Sequence, residues 1–237
     1  MIRHLPAHMM YRGQPTKWLD TIHHFSFANY YNPQNMRFGA LRVLNDDLIL
    51  GHSGFGTHPH NDMEIVSYLV RGELTHRDSL GNKGVIKRGE VQYMSAGSGL
   101  THSEMNEGAD TVRLLQIWIM PNAKRLTPNY GDRKYAWGGR INKLLHLVSP
   151  INGGADVQLH QDVNMYASEL QPGSTLDLPL PIGRQCYIAQ VEGSSVINGC
   201  TMGEQDAIEA AEEDLHITAA GTSHLLFIEM ATDCTIA

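Results

Sequence analysis

The sequence predicts an all-β chain of antiparallel sheets arranged in two halves. Short apolar segments recur along its whole length and are closed by turn residues, as in LRVLNDDLIL (41–50), EVQYMSAGSG (90–99), VRLLQIWIMP (112–121) and CYIAQVEGSSVING (186–199). Runs of that length, bounded by Gly, Asn, Asp and Ser, are strand signals. Helix signals are few, and the best of them, at 142–147, is weak. The stretch PNAKRLTPNYGDRKYAWGG (121–139) opens a segment reaching residue 154 that is rich in Pro, Gly, Asn and charge and has no sustained period, which marks a boundary between compact units. One unit is therefore expected at 1–135 and a second at 136–237, each long enough, at roughly 100 residues, to bury a core of its own.

Taken in order, the opening MIRHLPAHMMYRGQP has no apolar core segment of the kind a signal peptide needs. The longest apolar runs, at 65–70 and at 114–120 with Gln116 inside, fall far short of the roughly 20 residues that span a bilayer. A soluble, cytoplasmic protein with no membrane attachment is the expectation. Asp-Ser-Leu-Gly-Asn at 78–82 and Glu-Gly-Ser-Ser at 192–195 read as hairpin loops, because Gly and Asn accept positive φ and side-chain oxygens cap the bend. A strand, a Gly-containing turn and a second strand occur in both halves, as LVRGEL and as QVEGSSV, an inexact internal repeat.

Composition removes some functions. With 42% hydrophobic and 18% charged residues, a formal charge of -7 and a pI near 6.0, the chain has no basic face for phosphate, so direct nucleic-acid binding is not expected. The three cysteines, Cys186, Cys200 and Cys234, have no CxxC spacing and lie apart from the His-rich stretches. They read as reduced thiols of a reducing compartment.

The chemistry concentrates in two places. In GFGTHPHNDME (54–64) side chains alternate along an extended strand, so His58 and His60 face the same way about 6 to 7 Å apart and can chelate one ion. Asp62 and Glu64 are further candidates on spacing alone. A second run, MSAGSGLTHSEMN (94–106), repeats the device with His102 and Glu104 two apart. Three imidazoles and a carboxylate suit Fe, Mn, Co, Ni, Cu or Zn, with positions left open for water, substrate or dioxygen. Glycines at 51, 54, 56, 72, 89, 97 and 99 surround both runs, as bends and close backbone approaches require. Taken singly, His4, His8, His23, His24, His52 and His76 read as surface or hydrogen-bonded histidines. The C-terminal half has no HxH or HxE, and its His146, His160, His216 and His224 are scattered, so that half is expected to hold no metal and to wall the active-site cleft.

These spacings have a family likeness. The stretch Gly54-F-G-T-His58-P-His60-x3-Glu64-x7-Gly72 resembles the first cupin motif, and Gly89-x7-Gly97-x-Gly99-x2-His102-x3-Asn106 resembles the second, with Gly97 where many cupins carry proline. HPHNDME, SAGSGLTHSE and WLDTIHHFSFANYYNP (18–33) are closer still to the pirin family. That resemblance implies a bicupin, two antiparallel β-barrels (double-stranded β-helices) packed face to face. One mononuclear divalent metal, Fe(II) first and Ni, Co, Mn, Cu or Zn otherwise, would be held in the N-terminal barrel by His58, His60, His102 and Glu104. Glu64 would then be a nearby group tuning a ligand through a hydrogen bond.

Pirins that keep all four ligands are similar to quercetin 2,3-dioxygenases, which open the central ring of a flavonol with O2 and release CO. The resemblance implies a small aromatic substrate and O2 as partners, with Glu104 as catalytic base for the 3-hydroxyl proton. Phe55, Met63 and Met94 are candidates for lining a flat pocket, while Phe25, Phe27, Tyr30 and Tyr31 read first as packing residues. Mammalian pirins resemble the alternative, a metal-containing redox sensor or regulator acting through a protein partner. A monomer is the default for a bicupin whose barrels already face each other.

Overall fold

The computed structural model describes residues 1–13 and 16–237. It consists of strands, and among the described residues the helical elements are two short 3₁₀ turns, Ala7–Met9 and Trp137–Arg140. The weak helix signal at 142–147 is overturned. Asn142 has φ near 53°, which a right-handed helix does not contain, and the strand Leu145–Pro150 follows at once. Among the described residues no helix is long and apolar enough to cross a membrane.

Two compact units are present. The first comprises Tyr11–Tyr135 with Leu159–Gln161 and Thr235–Ala237, the second Met1–Met10, Ala136–Gln158 and Asp162–Cys234. Against units expected at 1–135 and 136–237, the segments Met1–Met10, Leu159–Gln161 and Thr235–Ala237 are exchanged, each lying with the other unit. The strand Ile2–Leu5, for example, pairs antiparallel with Ala207–Ala211 and belongs to the C-terminal unit. A strand this short carries no sign in its own sequence of the sheet it joins, because its partner is chosen by tertiary packing.

Each unit is a seven-stranded sheet and a four-stranded sheet, the cupin-type layout. In the N-terminal unit the large sheet runs, edge to edge, Asn129–Arg133, Val91–Ser95, Glu64–Arg71, Val112–Ile119, Leu41–Ile49, Leu19–His23 and Tyr11–Thr16, and the small sheet runs Ser53–His60, Leu100–Asn106, Glu73–Asp78 and Lys83–Lys87. Ile49, Leu69, Val112 and Leu114 of the large sheet pack on Leu74 and Ile86 of the small one. Each of these buried aliphatic side chains contributes about 1.5–3 kcal/mol relative to exposure. They fill one end of the space between the sheets and leave the other end to polar residues. In the C-terminal unit an apolar cluster around Leu170, Ile188, Ile208, Ile217 and Phe227 has the same role.

The turn at 78–82 joins two paired strands, with Arg77 opposite Lys83, and is a hairpin. The turn at 192–195 is not, since Arg184–Glu192 lies in the large sheet and Ser195–Ile197 in the small one. Gly193, at φ 75°, carries the chain between sheets where an added Cβ would lie 1.8 Å from the Thr222 carbonyl oxygen. Gly72, at φ 85°, does the same between Glu64–Arg71 and Glu73–Asp78. The repeated LVRGEL and QVEGSSV therefore mark the same sheet-switching corner in the two units.

Candidate metal centre

The strands Ser53–His60 and Leu100–Asn106 run antiparallel, with His58 opposite His102 and, past a register irregularity, Phe55 opposite Glu104. On the other side of Leu100–Asn106 lies Glu73–Asp78, with His76 opposite Glu104 and Asp78 opposite His102. Residues directly opposed across a ladder share a face. Phe55, His58, His60, His76, Asp78, His102 and Glu104 therefore project together. Ser53–His60 is an edge strand, which tolerates Pro59 between the two histidines because a missing N–H there interrupts no ladder. Gly54 lets the strands close: a Cβ at that position would lie 2.3 Å from the Glu104 carbonyl oxygen.

One ring nitrogen from each of His58, His60 and His102 lies within 4.8 Å of the others. The Nδ1–H of His58 donates to the Gly56 carbonyl at 2.7 Å, which leaves its Nε2 as a bare lone pair. That Nε2 is 3.1 Å from Nε2 of His102. Two nitrogens bound at about 2.1 Å at right angles on one ion would be about 3.0 Å apart, so the spacing fits a transition metal between them. Burial, then repulsion from His102 and His58, lowers the His60 pKa to about 4. Burial, then His58 and His76, lowers that of His102 to about 3. Both imidazoles are neutral near pH 7, the form that donates to a metal. His60 is oriented by Trp118, whose ring stands edge-on at 4.9 Å.

Glu104 reaches across to the large sheet. Its Oε1 accepts from Ser67 Oγ and from Gln92 Nε2, both at 2.8 Å, and its Oε2 accepts from Gln116 Nε2 at 2.6 Å. These donors belong to one inward row, since Gln92 is opposite Ser67, Ser67 opposite Gln116, Gln116 opposite Asn45, and Asn45 opposite His23. The Glu104 carboxylate forms a second close group with His76 and His102, which shares only His102 with the group of three histidines, and both groups lie in the N-terminal unit.

Glu64 stands elsewhere. The chain leaves the edge strand after His60, bends at Asp62 (φ 48°), and resumes in the other sheet at Glu64. The alternation that would carry the 58–60 face on to 62 and 64 is broken there. Ser67 points inward, so Glu64, three residues before it, points away. Its carboxylate accepts from Ser95 Oγ at 2.7 Å and lies 3.4 Å from His160 Nδ1. Burial above all raises its pKa. The expectation that Glu64 tunes a ligand is replaced by this outward pairing, in which His160 is brought to the N-terminal unit by the exchanged segment Leu159–Gln161.

A cavity of about 280 Å³ is lined among others by Trp18, Phe27, Phe55, His23, Asn45 and Asp47, and not by His58, His60 or His102. It lies close to the centre: Phe55 packs on the His58 ring at 6.4 Å, and Phe27 on Trp118 at 5.3 Å. His23 Nδ1 and Asn45 Oδ1 are buried and have no hydrogen-bond partner in the protein. The Asp47 carboxyl is pushed up to about 7, first by burial, partly offset by Thr21, and further by the charges of Asp46 and Glu104. Met63 and Met94 pack in the core with Ile65 and Leu100. Phe25 is buried, Tyr30 stacks on Tyr11, and Tyr31 is exposed.

Sequence reasoning missed His76. It is fully buried, its Nδ1 lies 3.5 Å from His102 Nδ1, and its Nε2 meets Asp78 Oδ2 at 3.2 Å. The ring of Tyr130 stacks on it at 4.3 Å, in space that only Gly84 leaves, since a Cβ there would lie 1.9 Å from the Tyr130 hydroxyl. The available signal was a histidine and an aspartate two apart in THRD, the same spacing as the two accepted motifs. Burial would push the Asp78 carboxyl up, but bonds from Asn82, His76 and Leu80 bring it below its ordinary range.

Comparison with known proteins places these features. The Pirin family profile matches residues 7–119, and the profile described as the quercetinase C-terminal cupin domain matches residues 146–230. The quercetin 2,3-dioxygenase of Escherichia coli K12 is 39% identical over 215 residues, covering 90% of this chain and 92% of its own. The crystal structure of the E. coli bacterial pirin YhhW in complex with nickel(II) superposes with a TM-score of 0.91 at 38% identity, covering 98% of this chain and 99% of that one. A pirin-like protein of Caulobacter vibrioides is 40% identical over 221 residues, 92% of this chain and 95% of its own. Likeness of that extent, across both units and not only around the histidines, means that the chain belongs to the pirin family.

Proposed function

We propose that this protein is a metal-dependent dioxygenase that opens the central ring of a flavonol such as quercetin with O2 and releases CO. One mononuclear ion, Fe(II) in the cell, would be held by His58, His60, His102 and Glu104. The observation that carries this reading is the pair of Nε2 atoms, from His58 and His102, facing each other at 3.1 Å while the His58 Nδ1–H is committed to Gly56. Relatives named quercetin 2,3-dioxygenase and the nickel-bound bacterial pirin support it. When bound, the ion supplies a Lewis acid for the flavonol 3-oxygen.

The chain's own residues do the rest. Phe55, Phe27 and Trp18 offer apolar walls to a flat ring system, and His23 and Asn45 offer unmet polar atoms to its hydroxyl groups. Glu104 accepts the 3-hydroxyl proton. A carboxylate has about four acceptor positions, and Ser67, Gln92 and Gln116 occupy three, which leaves one that would serve the ion and the proton only in turn while the group stays fixed. The cavity that Phe55 shares with the His58 ring favours catalysis over a regulatory role read out at the surface.

The test is anaerobic loading with Fe(II), addition of quercetin and O2, and measurement of both flavonol absorbance and CO, with a His58→Ala, His102→Ala double variant as control. Loss of absorbance with matching CO in the wild type alone supports the proposal. A fully loaded wild type that leaves quercetin intact refutes it.

A further inference from the structure

The groups behind His102 form a chain that the ligand set does not include. The Asp78 side chain is fully buried. Its Oδ1 accepts from the backbone N–H groups of Leu80 and Asn82 at 2.9 and 3.0 Å, and Asn82 Nδ2 bonds Oδ2 at 2.9 Å and Oδ1 at 3.2 Å. The turn at 78–82 thus fixes the carboxylate as an acceptor. Its remaining near neighbour is His76 Nε2 at 3.2 Å, so that nitrogen carries the proton. In the neutral ring His76 Nδ1 is then an acceptor, and it faces His102 Nδ1 at 3.5 Å.

We infer that Asp78 and His76 act as positioning residues that hold His102 in the Nδ1–H tautomer, with its Nε2 bare toward His58 and His60. The inference rests on the reading of those histidines as metal ligands. Every donor has its acceptor in this order, from the 78–82 turn to Asp78, from His76 to Asp78, and from His102 to His76. The opposite order would set His102 Nε2–H against the metal position. A second partner of this kind fixes both the tautomer and the ring orientation of a ligating histidine, and losing it typically costs roughly 10–100-fold in metal affinity. The stacking of Tyr130 on His76, in the gap left by Gly84, holds the intermediate ring in plane.

The experiment compares wild type, Asp78→Asn and His76→Phe, using Co(II) as probe. Affinity is read by competition with a chelator, geometry by the visible absorption of the Co(II) protein, tautomers by long-range ¹⁵N NMR of the metal-free protein, and folding by circular dichroism. Asparagine keeps an acceptor for the turn but presents N–H to His76, reversing the order. The expected result is a 10–100-fold weaker Co(II) affinity in Asp78→Asn, an altered absorption band, and transfer of the His102 proton from Nδ1 to Nε2. His76→Phe, which preserves the stack on Tyr130, should lose similar affinity. Wild-type Co(II) affinity and spectrum in folded Asp78→Asn would overturn the inference, as would an Nε2–H on His102 in the wild type. Complete loss of Co(II) in His76→Phe with Asp78→Asn unchanged would also overturn it and make His76 a ligand. Failure of the underlying reading is seen separately, as a His58→Ala, His60→Ala double variant that binds Co(II) as tightly as wild type.

Discussion

Replacing Asp47 by Asn tests how the cavity handles charge. The Asp47 carboxyl is 2% exposed and its pKa is pushed up to about 7 from 3.8. At 1.36 kcal/mol per pH unit, a shift of about 3 units makes burial of the ionised form cost about 4 kcal/mol relative to the neutral acid. The folded pKa lies above the unfolded one, so the folded state holds this proton more tightly. The stabilising contribution is complete below about pH 4 and is lost as pH rises through about 7. Asparagine keeps the shape of the side chain opposite Thr21 on the adjacent strand and cannot ionise. Urea unfolding of both proteins at intervals from pH 4 to 8 should show the stability difference moving in favour of Asp47→Asn by up to about 4 kcal/mol, because all other titrating groups are common to both. Two parallel stability curves would refute the reasoning, and would mean that solvent in the cavity hydrates the carboxylate.

Other substitutions probe separate links. Glu104→Gln sets an amide among three donors, and turnover should fall by about 10²–10⁴-fold while metal content measured by elemental analysis persists; wild-type turnover would remove Glu104 from the role of base. Arg113 grips Asp46 through two bonds of 2.9 and 2.7 Å in a buried pair, so Arg113→Ala should cost about 3–5 kcal/mol in denaturant unfolding by leaving a buried charge unmatched. Gly54→Ala drives a Cβ against the Glu104 carbonyl, 2.3 Å away in the present backbone. It should separate the two histidine-bearing strands and weaken metal binding about tenfold or more in a chelator competition.

What the sequence disclosed and what it hid follow from range. His58 with His60, and His102 with Glu104, are each two residues apart on one strand, and a period of two is a local property. Their meeting depends only on the two strands being neighbours, as they are. The extrapolation to Glu64 failed because it ran the same period through Asp62, a bend into another sheet. His76 escaped notice because its relation to His102 is set by a third strand, and pairing partners are not written in a strand's own residues. Gln92, Ser67, Gln116, Asn45 and His23 form a row across five strands, and each alone is an ordinary polar position in an otherwise apolar run. The inexact LVRGEL and QVEGSSV repeat was legible because both glycines answer one local demand, a positive φ at a sheet corner.

The arrangement of that row bears on whether the centre performs chemistry or reports a state. Its members nearest Glu104 donate to the carboxylate, which fixes the group in place, while Gln92 Oε1 is left without a partner in the protein. Farther along, His23 Nδ1 and Asn45 Oδ1 have no partner in the protein, and both residues line the cavity. A buried polar atom left unmatched costs about 1–3 kcal/mol, a strain that a regulator signalling through its surface has no use for at this depth. A substrate of the proposed kind, with hydroxyl groups on a flat apolar frame, would relieve it on binding, with its rings against Trp18, Phe27 and Phe55 and its oxygens against His23 and Asn45. The unmet atoms of His23 and Asn45 sit where a ligand would meet them, and the donors of Ser67, Gln92 and Gln116 sit where the carboxylate is held, an arrangement that supports the proposed catalysis.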